Sequence, residues 1–441
     1  MNALKEEGAS ALAREPAHVV AQRRELGRRL ATARSAVGLT QQNLARALYY
    51  ERTSVAHIEG GRQPAPRSFW GRADVQLGAG GTLLAGYDDL ERAKAAHAAK
   101  AAPAAPIETI ADASTIALRW LVASADAGPS RERGWRRIGA ADVARVRTVR
   151  KHLKAMDDAL GGNAAFPMTT SYLRQEVAPL LGGQYDAEVG RDLLAVVAEV
   201  TLDLGWMAYD AGQQTHARHH MLHALRLSHA AQDRLFGGRV LSALSHQALH
   251  LGRIGEATDL ARAATRGTKG IATPRVVAMF AAMEACAAAA AHDSAGCTAA
   301  LSKAERALDA ASSDKGPDWL DFDEGGLWGH AARAHRDLGH PNRAREFAQQ
   351  ALIHCRDAHR RTRAQRRAIL ATTLLDSGEL DGACSIGEEL LVDAWQLHSA
   401  LVIDDVRRLL DGVTARGTGS GEGFLLRARE LLAARSTPQQ Q

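Results

Sequence analysis

The chain has 441 residues, with 55 Lys and Arg against 50 Asp and Glu and a formal net charge of +5; 46% of it is hydrophobic but only 5% aromatic. That length exceeds one ordinary core and predicts two to four units, and apolar mass supplied chiefly by Ala, Leu and Val favours close helix-on-helix packing, hence an all-α protein. The longest apolar stretch, Val276 to Ala291, contains Glu284 and spans 16 residues, short of a membrane span. Met1 to Glu15 carries Lys5, Glu6 and Glu7 and has no apolar core, so no secretory signal is read there and the product is expected in the cytoplasm, at the nucleoid, with no membrane partner. Cys286, Cys297, Cys355 and Cys384 lack CxxC spacing and read as reduced, mostly buried side chains; no metal and no cofactor is expected.

In chain order, residues 1–20 read as a loose arm, and residues 21–99 as a small helical domain. Gln22 to Val37 is predicted to be its first helix, with Leu26, Leu30 and Ala33 inward. Gly38-Leu39-Thr40-Gln41-Gln42-Asn43-Leu44-Ala45-Arg46-Ala47-Leu48 then gives a helix N-capped by Thr40, with Leu44, Ala45 and Leu48 on one face. After a tight turn, Arg52-Thr53-Ser54-Val55-Ala56-His57-Ile58-Glu59 gives a second short helix, buried through Val55 and Ile58 and presenting Arg52, Thr53, Ser54 and His57 outward. Residues 14–72 hold eleven Arg against four Glu, a local +7 that exceeds the charge of the whole chain. A basic surface on a helix-turn-helix is the electrostatic footprint of a double-stranded DNA binder. Phe69, Trp70, Ala73, Val75 and Leu77 predict a short helix capping this core, and Leu83 to Ala99 a longer one.

These residues resemble the helix-turn-helix of the Cro, phage-repressor and xenobiotic-response-element (XRE) superfamily. Thr40-Gln41, Leu44-Ala45 and Ile58-Glu59-Gly60-Gly61-Arg62 match its opening, packing and closing positions. The resemblance implies that Gln41 and Arg62 hold phosphates while Arg52, Thr53 and His57 approach bases. Two residues depart from the pattern. Tyr49 stands at the turn position usually held by glycine, and Glu51 places an acid at the mouth of the recognition helix, which suits the helix dipole but repels phosphate.

Residues 100–139 read as a linker and connecting helix, opened by the Pro-Ala run 100–106. The basic stretch from Arg131 to Lys154 is expected to be a solvated helix face, and 140–190 to supply capping helices, with Phe166-Pro167 and Ala178-Pro179 ending or starting them. Residues 191–435 repeat. Turn residues Gly212, Gly252, His292, Gly339 and Gly378 are spaced 40, 40, 47 and 39 apart, each followed five residues on by Ala217, Ala257, Cys297, Ala344 or Ala383. Each unit therefore predicts helix, turn, helix, with small residues where antiparallel helices approach closely, and such units must stack to bury their faces. The pattern resembles tetratricopeptide repeats, most nearly at Leu204-Gly205, Tyr209, Gly212, Ala217 and Ala224.

A helical array offers a concave wall for a peptide, a small-molecule effector or a protein partner and carries no intrinsic catalysis; with no phosphate loop, nucleophile elbow or paired catalytic carboxylates, no enzyme is expected. The candidate ligand residues are His246 and His250, one turn apart on a wall helix, and Trp319 with Phe322 in an acidic loop that stretches the period. His216, His219, His220 and His223 lie on one helix face, which reads as a polar face rather than a metal site, and the run Arg360 to Arg367 as a solvated one. As a whole the layout resembles actinobacterial regulators of differentiation and secondary metabolism that pair such a head with such an array. It implies a homodimer that holds two heads about 34 Å apart, one helical turn of DNA. The alternatives are an interaction scaffold or an antitoxin-like sequestering protein with a secondary DNA-binding domain.

Overall fold

A computed structural model describes residues 17–48, 50–101, 120, 130–132, 134–311, 316–355, 359–416 and 421–436. Among them the chain is helical, with no strand longer than an isolated bridge, and no helix is long and apolar enough to cross a membrane. The chain divides into two compact units, 1–110 and 111–441. Tyr49 and most of the linker expected over 100–139 lie outside the described residues.

The first unit contains α1 (Ala17–Ala36), α2 (Gln41–Leu48), α3 (Arg52–Glu59), α4 (Arg67–Leu77) and α5 (Thr82–Ala101). Their core joins Leu26, Leu30, Leu44, Ala45, Leu48, Val55, Ile58, Phe69, Trp70 and Leu83, as the apolar spacing predicts. Two details differ. The first helix begins at Ala17 rather than Gln22, because Val19 is itself fully buried in that core. Val75 is 85% exposed: Ala73 and Leu77, one turn apart, take the inward face of α4, and a residue two positions from each points away. Asp74, unremarked in the sequence, is buried, and its carboxylate accepts from the Gly81 and Leu84 amides at 2.6 and 2.7 Å, capping α5.

The second unit opens with α6 (Ala140–Leu160) and α7 (Gly162–Tyr172), followed by a π turn (Leu173–Val177) and a 3₁₀ turn (Ala178–Gly182). Pro179 starts that last turn as expected, but Pro167 lies inside α7. Five helix pairs follow: α8 (Ala187–Asp210) with α9 (Gln214–Ala230), α10 (Arg234–His250) with α11 (Ile254–Gly267), α12 (Pro274–Ala290) with α13 (Ser294–Asp309), α14 (Glu324–Asp337) with α15 (Pro341–Ile353), and α16 (Arg360–Asp376) with α17 (Leu380–Gln396). The helices α18 (Ala400–Arg416) and α19 (Glu422–Ser436) complete it.

The spacing of the repeat is visible in the backbone. All five turn residues have positive φ, from 57° at His292 to 81° at Gly378. Each turn amide donates three residues back and the next amide five back, as in Gly252 N to Leu249 O and Arg253 N to Ala248 O. The small residues five positions on, Ala217, Ala257, Cys297, Ala344 and Ala383, are all buried at the helix crossings. The apolar stretch at 276–291 is α12, buried along nearly its whole length at the centre of the array.

The array also closes on itself. Ser399, just before α18, donates to Asp210 at the end of α8 at 2.7 Å, and the Gly162 amide reaches the other oxygen of the same carboxylate at 2.8 Å. His398 N donates to Leu160 O at 2.7 Å, and Leu401 joins the core built by the first repeats.

Candidate nucleic-acid interface and the inner wall of the array

Helix α2 starts where predicted: Thr40 Oγ1 accepts from the Asn43 amide at 3.1 Å, and Gly38 turns the chain at φ 70°. Helix α3 follows Glu51, whose backbone is extended and whose carboxylate accepts from Thr53 Oγ1 at 3.4 Å rather than capping the helix amides. Val55 and Ile58 are buried, while Arg52, Thr53 and His57 are exposed and Ser54 is half-exposed on the outer side. Arg52 has no ion pair among the described residues, and Arg62 is exposed beyond the end of α3. The outer face of α3 thus offers a guanidinium, hydroxyls and an imidazole to a groove, with phosphate-reaching cations at its edge.

Gln41 has a partner within the domain. Its amide nitrogen donates to Glu59 Oε2 at 2.7 Å, inside the domain. Glu59, 8% exposed, also takes Arg34 through both oxygens, at 2.6 and 3.1 Å, and Arg34 reaches the Leu39 carbonyl at 2.7 Å. This carboxylate ties α1, α2 and α3 together, and the hydrogen bond to it raises the Arg34 pKa above its ordinary value. The sequence carried no signal for the hub beyond Glu59 itself. A second feature it concealed is Gly27 on α1, where a Cβ would collide with the carbonyl oxygens of Ile58 and Glu59; α3 ends against bare backbone.

In the second unit, the 360–367 run expected to be solvated turns inward, whereas in the 131–154 run Arg131, Arg137 and Arg145 stay exposed as expected and Arg150 alone is buried. Arg150 on α6 is buried and pairs with Glu199 and Asp203 of α8, the latter at 2.6 Å. Burial outweighs that pairing for Glu199 and pushes its carboxyl up to about 7. Lys151 reaches Asp318 at 3.1 Å. Arg361 on α16, 14% exposed, pairs with Asp157 at 2.7 Å and Asp158 at 3.0 Å on α6 and lies 3.9 Å from Asp210. Arg363 and Arg367 both pair with buried Asp393. Helix α6 therefore lies along the inner side of the array, fixed by ions to its first pair, to the 316–323 loop and to its fifth pair. The wall expected to stand open to a partner is in part covered by the chain's own helix.

Beside α6 the first helices of the pairs line cavities. One of about 230 Å³ is bordered by His246, Phe322, His330, Arg333 and Arg366. A second, about 130 Å³, is bordered by Trp206, Arg239, Trp319, Arg150 and Arg361. Of the four candidate ligand residues, His246 and Phe322 thus share a cavity, Trp319 borders the neighbouring one against Phe236 at 5.6 Å, and His250 packs on Tyr209 at 5.2 Å outside both. Asp323 caps α14 by accepting from the Gly326 amide at 2.9 Å. Burial drives His330 down to about 3 and His246 well below its ordinary value, so both imidazoles are neutral. On α9, His220 stacks edge-on with Phe166 at 6.0 Å and is lowered to about 4 by burial. Among the described residues no cluster of three or more His, Cys, Asp or Glu is placed to hold a metal ion.

Residues 25–85 match a family model described as a helix-turn-helix domain. No curated protein matches the chain. The match spans α1 to the start of α5, with Glu59, Gly27 and the exposed face of α3 inside it, so residues 25–85 form a helix-turn-helix domain, the module by which DNA-binding regulators engage DNA.

Proposed function

We propose that the chain is a sequence-specific transcriptional regulator: an XRE-type head reads operator DNA, and a tetratricopeptide-like array, without catalytic activity, senses an effector. The observation that carries the reading is the outer face of α3, where Arg52, Thr53 and His57 project from a helix anchored by Val55 and Ile58 inside a domain that matches a helix-turn-helix model. Arg52 and His57 address bases, and Arg62 the phosphate backbone. Gln41 serves the reading indirectly, by holding Glu59 and so the angle between α2 and α3.

Such heads read two half-sites, so the working form is a homodimer whose array contacts set a half-site spacing of about 34 Å. Effector binding in the array shifts the relative placement of the heads, and the role belongs with actinobacterial-type regulators of differentiation or secondary metabolism. Genome-wide footprinting followed by salt-dependent titration of the strongest site tests the reading. Arg52→Ala is expected to cost about 1–3 kcal/mol at that operator and little on unrelated duplex, whereas Arg62→Ala weakens every duplex alike and flattens the salt slope by about one. Equal affinity of wild type and Arg52→Ala for operator and random DNA overturns base reading by α3.

A further inference from the structure

The inner wall carries donors without acceptors. Arg239 on α10 has no ion pair or hydrogen bond to any described residue, and burial lowers its guanidinium to about 10. The ring of Trp206 lies 5.5 Å away, and the charge of Asp203, a carboxylate held by Arg150, acts on Arg239 without pairing. The indole Nε1 of that same Trp206 is buried with no hydrogen-bond partner among the described residues. Two helix pairs along, Arg333 borders the larger cavity, again without an ion pair among the described residues; Asp405, whose charge acts on it, is held by Arg408. Both arginines act on His246 and His330, which lie between them. The carboxylates that border the larger cavity, Asp321 and Asp323, do not pair with either arginine: Asp323 caps α14, and Asp321 lies 3.9 Å from His359.

A half-exposed guanidinium that faces a cavity without a counter-ion is open to an anion, and a buried indole N–H without an acceptor is unfavourable. The most buried arginines of this unit have their acids: Arg150 has Glu199 and Asp203, Arg218 has Glu256, Arg361 has Asp157. Arg239 and Arg333 break that pattern at the cavities. We propose that this wall is a binding site for a small anionic ligand, a phosphate- or carboxylate-bearing molecule whose acidic group is met by Arg239, Arg333 and the Trp206 N–H. Neutral His246 and His330 supply hydrogen bonds without adding charge, and Phe322 and Trp319 supply apolar contact for the ligand's body. Cavities of about 130 and 230 Å³ hold a metabolite-sized molecule rather than a folded partner. The inference rests on the array's being a sensor and names the chemistry it senses.

The test uses the full-length chain, with inorganic pyrophosphate and succinate as separate probes at constant ionic strength, read by calorimetric titration and thermal shift. Saturable one-to-one binding of either probe is expected, pyrophosphate marking a phosphoryl ligand and succinate a carboxylate. Arg239→Met and Arg333→Gln should each lose tenfold or more in affinity, while Arg407→Gln, an exposed arginine on α18, binds as wild type. A site arginine also has a signature that a structural one lacks: Arg239→Met should raise the melting temperature of the ligand-free protein while abolishing stabilisation by the probe. If an arginine variant does not fold, Trp206→Phe replaces it, with a several-fold loss expected from removal of the indole N–H. Absence of saturable binding for both probes, or wild-type affinity in the variants, overturns the proposal. Probe binding that depends on Arg239 but leaves operator affinity unchanged keeps the anion site and removes the sensor reading; operator affinity that responds to other effectors, with neither probe bound, does the reverse.

Discussion

The head and the array spend their arginines in opposite ways. In the head, Arg34 and Arg23 are drawn in as ties, Arg34 to Glu59 and Arg23 to the Gly61 carbonyl at 2.9 Å, but Arg46, Arg52 and Arg62 stay exposed around α3. In the array, individual arginines fold inward: Arg150, Arg218, Arg361, Arg363 and Arg367 each hold a carboxylate on a different helix. Arg239 and Arg333 belong to neither group, facing cavities without an ion pair among the described residues. Charge density along a sequence therefore does not distinguish a nucleic-acid surface from an internal staple. What separates them is whether acids at distant positions come within reach, and a short domain with few acids leaves Arg46, Arg52 and Arg62 without an ion pair among the described residues.

The sharpest way to break this contrast is Arg361→Ala. It strips the partner from Asp157, and one of two from Asp158, where α6 meets α16, beside the Asp210 contact that closes the array. Leaving buried carboxylates unpaired is expected to cost about 3–5 kcal/mol, seen as a large drop in the array's melting temperature and loss of amide-exchange protection in α6 and α16. Exchange in α1 to α3 should be unchanged. A variant as stable as wild type would return the 360–367 run to the solvated face that its composition suggests.

The reciprocal test on the head is Gly27→Ala, which drives a methyl group into the end of α3. A loss of about 2–3 kcal/mol of head stability is expected, with operator binding falling in step and the array's transition unmoved. Retained stability would mean that α1 and α3 approach less closely than described.

A smaller, pH-dependent effect separates the units further. His330 and His220 have folded values near 3 and 4, below the ordinary 6.5, because burial favours the neutral ring. The stability they contribute is fully present above pH 6.5 and is lost as pH falls from 6.5 towards 4, since the unfolded chain takes up the protons first. Glu199, pushed up to about 7, works against this by protonating in the folded array over part of the same window. Burial also raises Asp157, Asp233 and Asp405, which act in the same direction as Glu199; with the lowered histidines outnumbering these carboxyls, a fall in the array's melting temperature between pH 7.5 and 5 is expected. A melting temperature that stays level over that range would show the imidazoles to be more solvated than the cavity geometry implies.

What was legible in the sequence was what depends on near neighbours. The helix-turn-helix was readable because Thr40 caps α2 three residues ahead and Leu44, Ala45, Leu48, Val55 and Ile58 follow helical spacing. The repeat was readable because a left-handed turn residue followed by a small residue five positions on is a local requirement, met even by His292 and Cys297. Val75 was misplaced by counting apolar residues without their phase, and Pro167 because its effect on a helix depends on what surrounds the freed carbonyl.

The remainder was decided by tertiary structure. Gln41 is tied to Glu59, 18 residues away. Arg150 and Arg361 turned from solvated cations into staples across 53 and 204 residues. Hydrophobic period, caps and turn conformation act within one or two helical turns, so the amino-acid sequence by itself determined an all-helical chain with a helix-turn-helix head and a paired-helix array. The angle at which those pairs stack is set by packing summed over the whole array. Only that sum brings Ser399 to Asp210, lays α6 against the inner wall, and leaves Arg239 and Arg333 facing cavities without a carboxylate of their own.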